Sequence, residues 1–202
     1  MDNEQVKALT EAVLSRIFIP LEASARHVHL TKKQCQTLFG CDLQPERPLS
    51  QPGQYLSKQR LTIIGPKGRF EKVAVLGPAR KEAQVEISMT DSRALGINPP
   101  IRQSGNVTST PGIILEGPKG RIGLQQGVII AQRHLHLTPE DAARFHVKDS
   151  QAVQLQTYTC RPVLFQDVIV RVSDQFSTAA HLDFDEANAC GMKNGDLGRI
   201  IP

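Results

Sequence analysis

The sequence predicts a mainly β fold: two small β-barrels from an internal repeat, capped by short helices. Two alignments of the chain with itself carry that reading. Arg26-His27-Val28-His29-Leu30-Thr31 returns as Arg133-His134-Leu135-His136-Leu137-Thr138, matching at five of six positions with an offset of 107 from His27 to His134. Further on, "VAVLGPARKEAQVEISMTDSRALG" from Val73 runs beside "VIVRVSDQFSTAAHLDFDEANACG" from Val168, with an offset of 95. A third observation sets the class: "RLTIIG", "KVAVLG", "QVEIS", "GIILEG", "GVIIAQ", "AVQLQTY" and "VIVRV" are short apolar runs punctuated by Gly and Pro, as strands are. A repeated β unit with closely spaced turns favours a pair of barrels over one open sheet.

The elements follow in order. In "DNEQVKALTEAVLSRIF", Val6, Leu9, Val13 and Ile17 share one helical face and Pro20 supplies a stop, which predicts an amphipathic N-terminal helix over residues 1–20. Asp2 and Glu4 argue against a secretory signal there. The first repeat is placed at 21–105. Its HxH strand runs into a helix that Thr31 caps, with Gln34 reaching back as a capping box and Gly40 at the end. It carries 12 more residues than the second copy (107 − 95), around "LSQPGQYLSKQRLTIIGPKGRF", where Pro and Gly permit a longer connection. In the second repeat, 106–202, Thr138 caps, Pro139 takes the first helical position, and Glu140 and Asp141 suit the positive end of the helix dipole.

Composition narrows the partners. At 202 residues, 40% hydrophobic and 22% charged, the chain can bury a real core but has no apolar run long enough to span a bilayer. The formal charge of +4 favours anionic ligands, yet the basic residues are scattered rather than striped. With no Trp and two Tyr, there are no aromatic platforms for stacking bases, so small phosphorylated ligands rank above nucleic acid. Cys35, Cys41, Cys160 and Cys190 form no C-x-x-C pair and read as small buried hydrophobes in a reducing cytosol.

Residues i and i+2 of a strand face the same way, so His27 and His29 present both imidazoles to one side, as do His134 and His136. The 95-residue register then sets Glu86 opposite His181, giving His-His-Glu in the first copy and His-His-His in the second. Three protein donors with a fourth position left open is the pattern of catalytic zinc. One HxH pair often decorates a strand without binding anything; two in register, each with a third donor, argue for metal. His146, after a helix, reads as structural or solvent-facing. "HLHLTPE" also contains a cupin-like fragment, but Glu140 belongs to a helix first turn and Lys33 holds the matching position in the first copy. Arg80, six residues before Glu86, would share its face if the strand were unbroken, and its counterpart in the second copy is Gln175.

Over nearly its whole length, and through "RHVHL", "QPGQY", "GPKG", "LGPAR", "QVEIS", "TDSRALGI", "TPGI", "GVIIAQRHLHL" and "DEANACG", the chain resembles the PduL-type phosphotransacylases (phosphate propanoyltransferases). The resemblance implies two β-barrels with strands exchanged between halves. It also implies two divalent ions, usually zinc, one on His27, His29 and Glu86 and the other on His134, His136 and His181. The implied reaction is reversible transfer of a short acyl group, propanoyl or acetyl, between coenzyme A and inorganic phosphate, with acyl phosphate as the other partner. Two dications suit an anion attacking a thioester carbonyl and a departing thiolate. Arg80 matches the family's required arginine, whose planar fork binds phosphate. Ser24, Leu76, His181 and Asn188 match the coenzyme A pocket and Gln84 lies near the phosphate, whereas Ala74 stands where relatives often carry arginine. Ser104 to Asn106, "SGN", reads either as a loop near the site or as a plain turn.

From relatives, the N-terminal helix would dock on bacterial microcompartment shell proteins; the other reading packs it on its own barrel. The resemblance further implies a homodimer and a place in a microcompartment or the cytoplasm. Two other functions compete: a non-catalytic metal- or ligand-binding module associated with a shell, and a thioester metallohydrolase that uses water in place of phosphate.

Overall fold

A computed structural model describes residues 2–14 and 16–202, without the side chains of residues 8, 9, 11 and 12. The first stretch comprises α1 (Asn3–Leu14), β1 (Ile19–Ser24), β2 (His27–His29), α2 (Lys32–Phe39), β3 (Pro45–Pro48), β4 (Tyr55–Ile64), β5 (Arg69–Gly77), β6 (Gln84–Ile87) and α3 (Met89–Leu95). Next come β7 (Ile101–Arg102), β8 (Ile113–Glu116), β9 (Arg121–Leu124), β10 (Val128–Ala131), β11 (His134–Leu137) and α4 (Pro139–Arg144). The chain finishes with β12 (Ala152–Tyr158), β13 (Leu164–Val172), β14 (Ala179–Asp183), α5 (Phe184–Cys190) and β15 (Leu197–Ile201).

These elements divide into two compact units that interleave along the chain. One takes the N-terminal segment through Ser24, Arg133–Leu182 and Glu186–Pro202; the other takes Ala25–Gln132 and Asp183–Asp185. In the first, six strands close a barrel in the order β1-β14-β11-β13-β12-β15. In the second, a curled sheet of nine strands runs β7-β10-β6-β2-β5-β4-β8-β9, with β3 paired to β4, and stays open as a half-barrel. Strand exchange is visible in β1, which precedes the whole open sheet yet pairs with β15 through Ile19↔Gly198 and Pro20↔Leu197.

The repeat reappears as backbone register. β2 runs antiparallel to β6, setting His27 opposite Glu86 and Val28 opposite Val85; β11 does the same with β14, setting His134 opposite His181 and Leu135 opposite Ala180. Each HxH strand also runs parallel to a third strand, His27 beside Ala74 and His134 beside Ile169. Alternation sends the residues between the histidines into the core: Val28 and Leu30 are fully buried with Val73, Val75, Val85 and Ile87, and Leu135 and Leu137 with Val168, Val170, Ala180 and Leu182. Burying each such side chain contributes about 1.5–3 kcal/mol, which fixes the register and so the side on which the imidazoles stand.

Helix ends follow local chemistry. Thr31 and Gln34 form the capping box, and Gly40 closes α2 at φ 73°, where any other L-residue would be strained. Thr138 caps α4 with Pro139 in its first turn. "GPKG" occurs twice for one reason: a Cβ on Gly65 would lie 2.3 Å from the Leu95 carbonyl oxygen, and one on Gly117 2.4 Å from that of Leu38, so each turn fits against a helix end only as glycine. Lys67 N–H and Lys119 N–H then donate to those same carbonyls.

Some expectations shift. α1 ends at Leu14, so Ile17 lies beyond the helix, and Pro20 stands inside β1 rather than acting as a helix stop. Leu9's place on an apolar face falls outside the described side chains, while Val6, Val13 and Ile17 are exposed. Of the cysteines, Cys35 and Cys190 are buried, Cys41 is intermediate and Cys160 is exposed; all are free. His146 is exposed. No described helix is long and apolar enough to cross a membrane.

Candidate metal centres and an adjoining polar cluster

In the open-sheet unit His27, His29 and Glu86 gather so that one donor atom from each lies within 4.8 Å of the others. All three are buried. His27 Nδ1 lies 2.8 Å from the Ala25 carbonyl oxygen, to which it donates, and this leaves Nε2 facing Glu86 Oε1, 3.5 Å away. His29 makes a backbone hydrogen bond to Leu76, and its Nδ1 is buried with no hydrogen-bond partner. A buried imidazole nitrogen without a partner costs free energy unless something occupies its lone pair.

Electrostatics mark this site. Burial pushes the Glu86 carboxyl up, but His27 beside it, then His29 and the Ser104 hydroxyl, more than reverse that and hold it well below the usual carboxylate range. His27 feels burial downwards and Glu86 upwards, with a net rise. His29 is driven well down by burial, by His27 and by Arg80. The triad without metal thus holds an ionised carboxylate and a neutral His29.

A polar cluster adjoins Glu86. Ser104 Oγ donates to Glu86 Oε1 at 3.0 Å and accepts from Gln84 Nε2 at 2.8 Å and Arg80 Nη1 at 3.2 Å. Gln84 Nε2 also donates to Glu86, and Gly105 N–H donates to Gln84 Oε1 at 2.7 Å. Arg80 does not share an unbroken strand with Glu86: β5 ends at Gly77 and β6 begins at Gln84, so the arginine arrives on the intervening loop, its N–H bonded to the Leu30 carbonyl. "SGN" is therefore a loop at the site. The sequence offers Ser104 to Asn106 as a loop near the site or a plain turn, but nothing local to residues 101–106 signals the Glu86 partner 18 residues away on another strand.

The barrel unit carries the second triad. His134, His136 and His181 also offer atoms within 4.8 Å of one another, with His136 buried and the other two half-buried. The His134 and His181 rings stack at 5.0 Å, and His136 stacks on Phe176 at 4.1 Å. Both His136 ring nitrogens are buried without a hydrogen-bond partner. Burial, His134 and Arg171 hold its pKa down at about 3, so the ring is neutral at neutral pH. Glu22 Oε2 on β1 lies 3.7 Å from His181 Nδ1. Both sets suit a divalent ion: neutral imidazoles and a carboxylate are zinc-type donors, and the orphaned nitrogens point to a missing partner.

The remaining sequence candidates lie on β1, β5 and α5. Leu76 is half-buried beside His29. Ser24 is half-buried on β1, on the same strand face as Glu22. Asn188 is exposed on α5, and Ala74 faces His27 across the β2/β5 ladder.

A family model described as phosphate propanoyltransferase matches residues 20–193. Curated relatives carry the same name. One from Leptotrichia buccalis is 50% identical, with 99% of each chain covered. One from Listeria monocytogenes is 48% identical across all of this chain and 97% of its own, and one from Thermotoga maritima is 49% identical across 88% of this chain and 86% of its own. With folds, triads and polar cluster in view, these matches make the chain a member of the phosphate propanoyltransferase family, transferases that act on acyl groups with phosphate.

Proposed function

We propose that this chain transfers a short acyl group, propanoyl or acetyl, reversibly between coenzyme A and inorganic phosphate, with one divalent ion, zinc by its donor set, on each histidine triad. One observation supports this above the rest. Two triads share one backbone register, and the His-His-Glu triad adjoins the Arg80–Ser104–Gln84 cluster.

In the transfer, a phosphate oxygen attacks the thioester carbonyl, the C–S bond breaks, and the sulfur leaves as thiolate; the products are acyl phosphate and coenzyme A. Bound ions would supply Lewis-acid stabilisation of the negative charge that develops on the carbonyl oxygen and the leaving sulfur. Arg80 contributes a planar fork that binds phosphate through parallel hydrogen bonds, and Ser104 orients that fork. Gln84, buried and hydrogen-bonded to Glu86, Ser104 and Gly105, holds the carboxylate in place. Ser24, Leu76, His181 and Asn188 are proposed to contact coenzyme A, and Ala74 leaves that contact set without the arginine many relatives have.

Identity of the product tests the reading. Propanoyl-CoA and phosphate should give acyl phosphate, trapped as the hydroxamate by hydroxylamine. Free propanoate formed without phosphate would instead mark a thioester hydrolase, and no product with full metal would mark a binding module.

The N-terminal segment is proposed to dock on a microcompartment shell, supported by exposed Val6, Val13, Leu14 and Ile17. Deleting residues 2–18 should leave turnover unchanged and abolish co-localisation with shell proteins; unchanged encapsulation sinks the docking.

A further inference from the structure

The arginine that opens each HxH motif has no part in the chemistry above, yet its surroundings are duplicated. Arg26 Nε and Nη2 donate to the two carboxylate oxygens of Asp91 on α3 at 2.9 and 2.6 Å, and its guanidinium lies 4.1 Å above the Phe70 ring on β5. Arg133 Nη1 donates to Glu186 on α5 at 2.8 Å, and its guanidinium lies 5.7 Å from the Phe165 ring centroid on β13. Both partners repeat at the 95-residue offset, from Asp91 to Glu186 and from Phe70 to Phe165. The second copy replaces Asp with Glu and keeps the contact, so the contact rather than the residue type is repeated.

Each arginine touches three elements that bear on one triad. Its own backbone leads into the HxH strand. Its acid partner sits on the helix that begins just after the strand of the third donor, β6 with Glu86 or β14 with His181. Its aromatic partner sits on the strand running parallel to the HxH strand. Asp91 is itself the N3 residue of the capping box with Ser88, two residues beyond Glu86, so movement of the carboxylate reaches the end of the ligand strand. On the other side, Arg26 follows Ala25, whose carbonyl sets the His27 tautomer. Fixing the arginine therefore fixes both the hydrogen bond that aims His27 and the strand that presents Glu86.

We propose that Arg26 and Arg133 are positioning residues, each clamping the ligand strands of its own triad, so that each governs chiefly the metal affinity of its own site. The inference rests on the reading of the triads as metal sites. Its test isolates each site: His136→Ala leaves the His27–His29–Glu86 triad, and His29→Ala leaves the other.

Zinc affinity of the remaining site is then measured by competition with a chromophoric chelator. In the His136→Ala background, Arg26→Met should weaken zinc by roughly 10–100-fold, the size of effect typical of partners one shell out from a metal ligand. Arg133→Met should do so only in the His29→Ala background. Asp91→Asn, nearly isosteric, should copy Arg26→Met, and Asp91→Glu should restore affinity, since Glu fills the role in the second copy. Thermal midpoints of the metal-free variants show that the fold survives. Unchanged affinity, or equal weakening at both sites by either arginine variant, overturns the clamp. Failure of the unmutated protein to bind zinc would instead overturn the metal reading, and the two failures are distinct.

Discussion

The two triads have the same backbone and different chemistry. His27 faces Glu86 as His134 faces His181, on strands of matching register. Around that shared frame almost everything else differs. The first triad carries a carboxylate, lies buried, and adjoins Arg80, Ser104 and Gln84. The second has three imidazoles, two of them half-buried, with Phe176 stacked on one ring and Glu22 approaching another. Duplication thus preserved what holds three donors together, while inside the open-sheet unit the groups suited to phosphate stand beside the first triad. A carboxylate among the ligands offsets part of an ion's charge, whereas three neutral imidazoles leave it whole, so the two ions would attract anions unequally.

The comparison is broken most severely at Arg80. Arg80→Lys keeps the charge and loses the fork, and should lower kcat by roughly 10²–10³-fold while both metals stay bound, read by thiol release and metal analysis on one sample. Next comes Glu86→His, which gives the first triad the second's donors. It should retain two ions yet reduce turnover by roughly 10–100-fold, since Gln84 and Ser104 lose the carboxylate they bond. Full turnover would mean that the asymmetry of ligands is incidental.

Ser104→Ala has a smaller effect that reads on stability. It leaves Gln84 and Glu86 short of a buried partner and should cost about 1–3 kcal/mol in chemical unfolding.

Acid should separate Glu86 from the buried imidazoles in the metal-free protein, with His29, also held well below its ordinary value, sharing the upper window with His136. His136 takes its proton at about 3 when folded and near the ordinary 6.5 when unfolded. Its folded pKa is the lower, so its contribution is complete above 6.5 and drains as pH falls towards 3. Glu86, also depressed, loses its contribution only as pH drops below the ordinary carboxylate range. Thermal midpoints against pH with a chelator present should therefore flatten in the upper window for His136→Gln and at the acid end for Glu86→Gln.

How far the sequence reached depended on how local each signal was. Alternation in "RHVHL" and "RHLHL" sets the faces of β2 and β11, and the 95-residue repeat aligns Glu86 with His181. Thr31, Gln34, Gly40 and Thr138 spoke through chemistry confined to one helical turn. What stayed hidden needed contacts between distant segments. Nothing near Ile19 says that β1 will close a barrel against β15, nothing near Ser104 points to Glu86, and Arg26 gives no sign of Asp91, 65 residues on. Pro20 misled for a related reason: it reads as a helix stop locally, but pairing places it in a strand.

The most direct measurement is phosphate-dependent release of free thiol from propanoyl-CoA, with zinc counted on the same preparation. Two zinc ions per chain are expected, with thiol released only when phosphate is present. Thiol released equally without phosphate, two bound ions with no release from propanoyl- or acetyl-CoA, or turnover by a chain that holds no metal would contradict that expectation.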